Sequence, residues 1–411
     1  MRRSQSILSG NFKGRFRNKL SLSFVSILLF LSFSSSCSHK NSASAAAGTN
    51  GYLYQMFNSF DPRSILQNLG TNTIPPLFAN LELSRAALVD ATDDVCGGDS
   101  LSSAQAAWTN HMSDLKKVEP FRFGASLAHF SRMDPFLINY LVESPPNSDE
   151  LDFLDSFGGV DVSDAQLYIN QIKNKSKGIS AIEYLLFSRP GVNRGTSPSC
   201  SDFPGSPNRA ALVRALVLDY SGHAKSVTDL WDISGTNPYG AQLANAGSGN
   251  SAVFPSSGSA LDAILSGTVQ LLTTMKDGKL EMPGGFSGGG NGSSPKTYRA
   301  ESRFSGNSFQ NLIDNLSTFK AIYTGNGTGV GLSDYVKFYS PALDSEILME
   351  IAELETHLAA IVPASAWGSP NTSAIKASIS DLSALLTILN TELAALTGSG
   401  PVSGGPGGDG D

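Results

Sequence analysis

Apolar residues recur at intervals of three and four along most of the chain, and strand-like alternation is nearly absent. That spacing predicts amphipathic helices rather than sheets. Leu81, Leu83, Ala86, Ala87 and Val89 fit it, and Ser102 to Trp108 continues as a second amphipathic segment. Further helices are predicted over 125–142, 163–172, 179–188, 207–232, 258–276, 306–322, 343–361 and 373–396. Clusters of turn formers separate them: Ser144-Pro-Pro-Asn147, Ser188-Arg-Pro-Gly191, Phe203-Pro-Gly-Ser-Pro207 and the glycine-rich run from Pro283 to Pro295. About eight long helices in this order predict an all-α protein of two four-helix bundles. Their expected extents are 51–200 and 201–397, with a disordered tail over 398–411 that has no apolar residue beyond Val402.

Charge changes the picture at the N-terminus. Residues 1–36 hold six bases (Arg2, Arg3, Lys13, Arg15, Arg17, Lys19) and no acid, and the rest of the chain has 23 bases against 36 acids. An acidic mature chain repels phosphate backbones, so nucleic acid is not an expected partner. After Lys19 comes an apolar run, Leu20 to Phe33, then Ser34-Ser35-Ser36-Cys37. A basic stretch, an apolar stretch and small residues make a signal peptide over 1–36. The apolar run is shorter than the ~20 residues that span a bilayer, which argues against a permanent transmembrane anchor. Small residues directly before a cysteine resemble a bacterial lipobox, although Ser34 stands where a strict one has leucine. In that reading Cys37 is lipidated, residues 37–50 are a flexible tether, and the protein is held at the cell envelope, on a periplasmic face or the outer membrane. Ordinary secretion with an incidental cysteine is the alternative.

Composition narrows the class. Apolar residues make up 40% and charged residues 16% of 411 residues, with 41 glycines, which excludes a disordered polyampholyte, a polytopic membrane protein and a collagen-like fibre. Beyond Cys37 only Cys96 and Cys200 remain. Export would let these two pair, and their small number argues against a multi-thiolate zinc site.

Standard catalytic signatures are missing. The five histidines (His39, His111, His129, His223, His357) form no His-Glu-x-x-His pair, and no Walker sequence occurs. Gly285-Phe-Ser287-Gly-Gly289 spells Gly-x-Ser-x-Gly but lacks the strand-turn-helix setting of a nucleophile elbow. Gly325 to Gly331 follows a predicted helix rather than a strand, so a connecting loop is expected there, not a dinucleotide site. Glu350, Glu353 and His357 share a helical face, which reads as a solvated polar face because no partnering Glu-x-x-His occurs elsewhere.

Two segments place polar residues in apolar surroundings. In Gly178-Ile-Ser180-Ala-Ile-Glu183-Tyr-Leu-Leu-Phe187, Ser180 and Glu183 lie on one helical face, so the carboxylate meets a partly buried partner or sits at a bundle end. Arg299 to Ser308 is dense in hydrogen-bonding groups just before a predicted helix, as an N-cap with salt bridges or as a binding site.

Over roughly residues 55–396 the chain resembles the imelysin family, also classed as the M75 peptidases. Gly178 to Phe187 looks like the family's Gly-x-His-x-x-Glu motif, and Val118-Glu119-Pro-Phe-Arg122-Phe-Gly124 like its first-bundle signature. Lys279-Leu-Glu-Met-Pro283, the block from Arg299 to Ser308 and the run from Asn311 to Gly325 match in order. The resemblance implies two helical bundles with a polar cleft at their junction, and a role linked to iron uptake. Ser180, however, stands at the motif histidine, and Gly306 and Phe309 stand where many relatives have an acid and a second histidine. A hydroxyl is a poor transition-metal ligand beside imidazole, so the family's iron or zinc site loses its best donor. Glu119, Glu183 and Glu301 remain as oxygen ligands for a weakly held hard cation, iron or another divalent ion.

The expected function is therefore a lipid-anchored binding protein whose cleft takes a small ligand or metal. Glu119, Arg122, Ser180, Glu183, Glu301, Arg303, Ser305 and Asn307 would line it. The same groups would equally make a salt-bridge network joining the bundles. An M75-type metallopeptidase and a surface adhesion or scaffold lipoprotein are the rival readings. No catalytic residue is assigned.

Overall fold

The apolar stripes fold into helices in the computed structural model, which describes residues 60–135, 148–156, 169, 176–203, 209–327, 329–361 and 367–397. A short helix α1 (Arg63–Asn68) runs through a π-helical stretch, Leu69–Thr73, into α2 (Ile74–Ala91). Then come α3 (Leu101–Val118), α4 (Leu127–Met133), α5 (Ser148–Ser156), α6 (Gly178–Phe187) and α7 (Arg209–Trp231). The chain continues through α8 (Tyr239–Ala244), α9 (Ser257–Thr273), α10 (Ser308–Thr324), α11 (Leu332–Tyr339), α12 (Pro341–Ala359) and α13 (Thr372–Ile388). No strand occurs among the described residues. The expected helix over 163–172 lies, apart from Ile169, outside them, as do the signal peptide, the tether, Cys37 and the tail.

Helix α3 shows how the sequence builds these elements. Ser100 accepts a hydrogen bond from the Ser103 amide at its start, satisfying a donor that has no partner inside the helix. Leu101, Ala104, Trp108, Met112 and Leu115 then form one buried stripe, and Pro120, lacking an amide hydrogen, ends the regular helix. Helix α6 is predominantly apolar and buried from Gly178 to Leu186, as a core helix must be. At its first residue Gly178 has φ +74°, and a Cβ there would lie 2.6 Å from the Met133 carbonyl oxygen. Only glycine tolerates both the left-handed backbone and that approach.

Helices α2, α3, α6 and α7 pack on one another with α4 against α7, while α9, α10, α12 and α13 form a second group. The packing of α3 on α10 joins the two. The break at 200 falls just before α7, yet α7 packs against α2, α4 and α6 of the first group. Its stripe of Leu212, Val213, Leu216, Tyr220 and Val227 is buried, and burying that face outweighs the turn signals before it.

Cys96 and Cys200 are joined by a disulfide, with Cα atoms 5.3 Å apart, tying the α2–α3 turn to the segment before α7. Trp108 and Trp231 are buried, Trp108 donating to the Ile179 carbonyl at 3.1 Å. Trp367 packs on Phe309 with ring centroids 4.6 Å apart. Thr372–Leu396 is long and apolar enough to cross a membrane, but it packs against α12 and α9 inside the second bundle. Ser287 is exposed in a short 3-10 turn with no strand before it, and Gly325 caps α10 with φ +68°.

Candidate functional site at the bundle junction

Where α3 ends, the Glu119–Phe121 turn is drawn close to α9, because Gly267 has no side chain to fend off the Pro120 carbonyl. This places Glu119 in the interior between the bundles. Lys116, one turn earlier on the buried stripe, sends its Nζ to Asp134 Oδ2 and to Glu301 Oε1 at 2.6 Å each, and lies 3.5 Å from Glu119 Oε2. Lys279 enters from the π-helical continuation of α9, Thr274–Glu281, with its Nζ 2.8 Å from Glu119 Oε2 and 3.4 Å from Glu301 Oε2. Helix α10 closes the cluster. Asn311 donates to Glu301 Oε2 at 2.9 Å, and Asn315 donates to Glu119 Oε2 at 2.9 Å and to the Lys116 carbonyl at 2.8 Å.

None of these charged side chains is more than 2% exposed, so each must be matched by its neighbours. Burial pulls the Lys116 ammonium down, but Asp134, Glu301 and Glu119 outweigh it and hold the group well above the ordinary lysine value. Glu119 shows the mirror image: burial pushes it up, and Lys279, Lys116 and Arg122 bring it down to about 2. At Asp134 burial wins over Lys116, with Glu301 and Glu119 adding repulsion, and its carboxyl is raised.

Glu183 lies elsewhere. From α6 its Oε1 accepts the Phe304 amide at 2.9 Å, the Ser305 amide at 2.7 Å and the Ser305 hydroxyl at 2.9 Å. Burial dominates over these bonds and lifts its carboxyl to about 7. The partner is thus a backbone turn of the second bundle, and the Tyr184 and Phe304 rings pack beside it with centroids 5.1 Å apart.

Next to this turn opens a cavity of about 610 Å³ lined by Ser148, Leu151, Arg194 and Gly195 on one side and by Thr297, Tyr298, Arg303, Phe304, Gly306, Ser308 and Trp367 on the other. Arg194 is held by Asp152 and Asp155 at 2.7 and 2.5 Å. Arg303 donates to the Tyr298 carbonyl at 2.6 Å and lies over the Phe304 ring. Among the described residues, two arginines and no acidic residue line this space.

The structure therefore divides the predicted site residues. Glu119 and Glu301 meet on the two lysines, with Arg122 acting on Glu119 through its charge. Glu183 and Ser305 bind each other, and Arg303 faces the cavity. Ser180 is buried on α6, and Asn307 precedes α10, where its amide donates to Asn311 at 2.8 Å. Sequence reasoning missed Lys116, Lys279, Asp134, Asn311 and Asn315. One signal was available: Lys116 continues the stripe Trp108–Met112 at four-residue spacing, and an ammonium on a buried stripe requires buried acids.

The donor set does not fit a transition metal. Ser180 supplies no imidazole, and Glu183 is separated from the other two carboxylates and occupied by three donors. Glu119 and Glu301 already neutralise lysine ammoniums, which occupy the place a cation would take and repel one. Glu119 Oε1 accepts no hydrogen bond among the described residues, yet one oxygen beside two ammoniums makes no metal centre.

A model of the imelysin family, peptidase M75, matches residues 76–397. Among solved structures, an iron-regulated protein A precursor from Parabacteroides distasonis is similar with a TM-score of 0.64 and 16% identity, over 82% of this chain and 94% of that one. An imelysin-like protein from Psychrobacter arcticum is similar with a TM-score of 0.60 and 15% identity, over 83% of this chain and 96% of that one. No curated protein sequence matches.

Proposed function

We propose that this chain, which belongs to the imelysin family, is an exported, lipid-anchored binding protein of the bacterial envelope whose junction cavity takes an anionic small molecule. The supporting observation is the cavity's wall: Arg303 and Arg194, the latter paired with Asp152 and Asp155, line it, aromatic and hydroxyl groups complete it, and the described lining residues include no carboxylate. Guanidinium groups fix carboxylate or phosphate oxygens by paired, charge-assisted hydrogen bonds. A role linked to iron uptake accords with the iron-regulated precursor that shares the fold, and a negatively charged ferric chelate meets both conditions. The lysine–carboxylate cluster is then the joint that holds the two cavity walls in register.

Ferric citrate is a suitable probe, with citrate alone as control. Arg303→Gln keeps a hydrogen-bonding side chain but loses the charge, and is expected to weaken binding by about tenfold or more. Equal affinity in wild type and variant, or no binding to either compound, overturns the cavity assignment.

Anchoring is tested separately. Cells supplied with a tagged fatty acid are expected to label the wild-type chain and not Cys37→Ser, which passes into the aqueous phase on detergent partitioning. A wild-type chain without label is an ordinary secreted protein.

A further inference from the structure

His129 of α4 and His223 of α7 bring their Nδ1 atoms to 3.2 Å, with the rings inclined at 46°. Both rings are half-buried. We infer that this pair is a binding site for a zinc-like divalent cation, distinct from the junction cavity. A tetrahedral ion holds imidazole nitrogens at about 2.0–2.1 Å, which sets two such nitrogens about 3.3 Å apart. The observed separation meets that requirement.

The surroundings suit a neutral, ligating ring. Burial lowers the pKa of His223, and His129, Arg132 and Lys177 add to the effect while Asp219 opposes it. A ring that stays unprotonated keeps its lone pair for a metal. Asp219 lies one helical turn before His223 on α7, and its charge offsets one of the two cations, Arg132 and Lys177, that act on the ring. Two imidazole nitrogens completed by water oxygens form a donor set that zinc accepts. The other described histidines are committed: His111 bonds Ser84 and Tyr220 at 2.9 and 2.6 Å, and His357 bonds Asp381 at 2.6 Å.

The test is zinc titration of the chelator-treated protein by calorimetry, with wild type, His129→Gln, His223→Gln and the double variant. Asp381→Asn serves as control, because Glu350, Glu353 and Asp381 bring carboxylate oxygens within 4.8 Å of one another. Each histidine variant is expected to raise the Kd for zinc by about tenfold or more, with Asp381→Asn unchanged. Cobalt bound in place of zinc is expected to show the intense visible absorption of a tetrahedral site, lost in the double variant. Undiminished zinc affinity in the double variant, affinity lost only in Asp381→Asn, or no zinc binding by wild type overturns the inference and leaves the pair as a hydrogen bond between the rings.

Discussion

Replacing Lys116 by methionine is expected to cost about 3–5 kcal/mol of folding stability at neutral pH, the range for removing one partner of a buried ion pair. Methionine nearly preserves volume and apolar contact, so the loss isolates the charge. In the wild-type protein the Lys116 ammonium serves Asp134, Glu301 and Glu119 at once. Without it, Glu119 and Glu301 keep Lys279, while Asp134 loses the ammonium it is paired with. The variant has one cheap response, which is to take up protons, and Asp134 is the first candidate because its carboxyl is already raised. Each carboxyl raised in the folded variant adds stability that is fully present below its unfolded pKa and lost as pH rises through the folded one. The deficit measured by chemical denaturation should therefore shrink between pH 7 and pH 5. Adding Asp134→Asn to Lys116→Met should recover part of the loss at pH 7, since it removes a repelling charge but keeps a polar side chain. A single-variant cost below about 1 kcal/mol would mean the cluster is solvated.

The value of such a cluster lies less in net stability than in geometry. Apolar replacement of a whole buried ion set is often neutral or stabilising, so these charges are not needed merely to keep the chain folded. Their partners, however, come from α3, the end of α4, the continuation of α9 and the segment before α10. Only one mutual placement of these elements satisfies every group, and a shifted packing of α3 on α10 would strand a charge. The cavity walls inherit that placement, because the segment that carries Glu301 also carries Arg303 and Phe304.

How much of this was legible in the sequence depends on the range of the interaction. The stripes of α3, α7, α9, α10, α12 and α13 span four turns or more, so their periodicity stands out from noise. Helices α5, α8 and α11 have 9, 6 and 8 residues, too few for a period to show, and went unpredicted. Glu119 and Glu301 were readable as acids in an unusual setting. That lysines answer them was not, since Lys116 and Glu301 are 185 residues apart and Lys279 and Glu119 are 160 apart. Tertiary packing alone brings such groups together. Glu183 was readable as a carboxylate needing a partner, but its partners include two backbone amides, which every residue type carries and no side-chain pattern reveals.

Glu183 should make the stability of the protein fall as pH rises through neutrality. Its carboxyl stands near 4.5 when unperturbed and at about 7 in the folded chain, with burial as the dominant cause. The folded protein therefore keeps a proton that the unfolded chain releases. The contribution is complete below about pH 4.5 and disappears as pH passes 7, amounting to about 3 kcal/mol by the size of the shift. Glu183→Gln retains a carbonyl oxygen for the Phe304 and Ser305 donors and has nothing to titrate. Its stability should match wild type near pH 5 and exceed it at pH 8, so the difference between the two denaturation curves grows with pH. A difference that stays constant from pH 5 to pH 8 would place the folded pKa of Glu183 near its ordinary value and refute the prediction. Glu183→Ala behaves otherwise, for it leaves the Phe304 and Ser305 amides without their acceptor and is destabilised by about 2–5 kcal/mol at every pH. Because the released turn carries Arg303 and Phe304 into the cavity, the alanine variant that remains folded should bind ferric citrate more weakly, and the glutamine variant should not. That contrast separates a carboxylate that touches the ligand from one that shapes the wall the ligand meets.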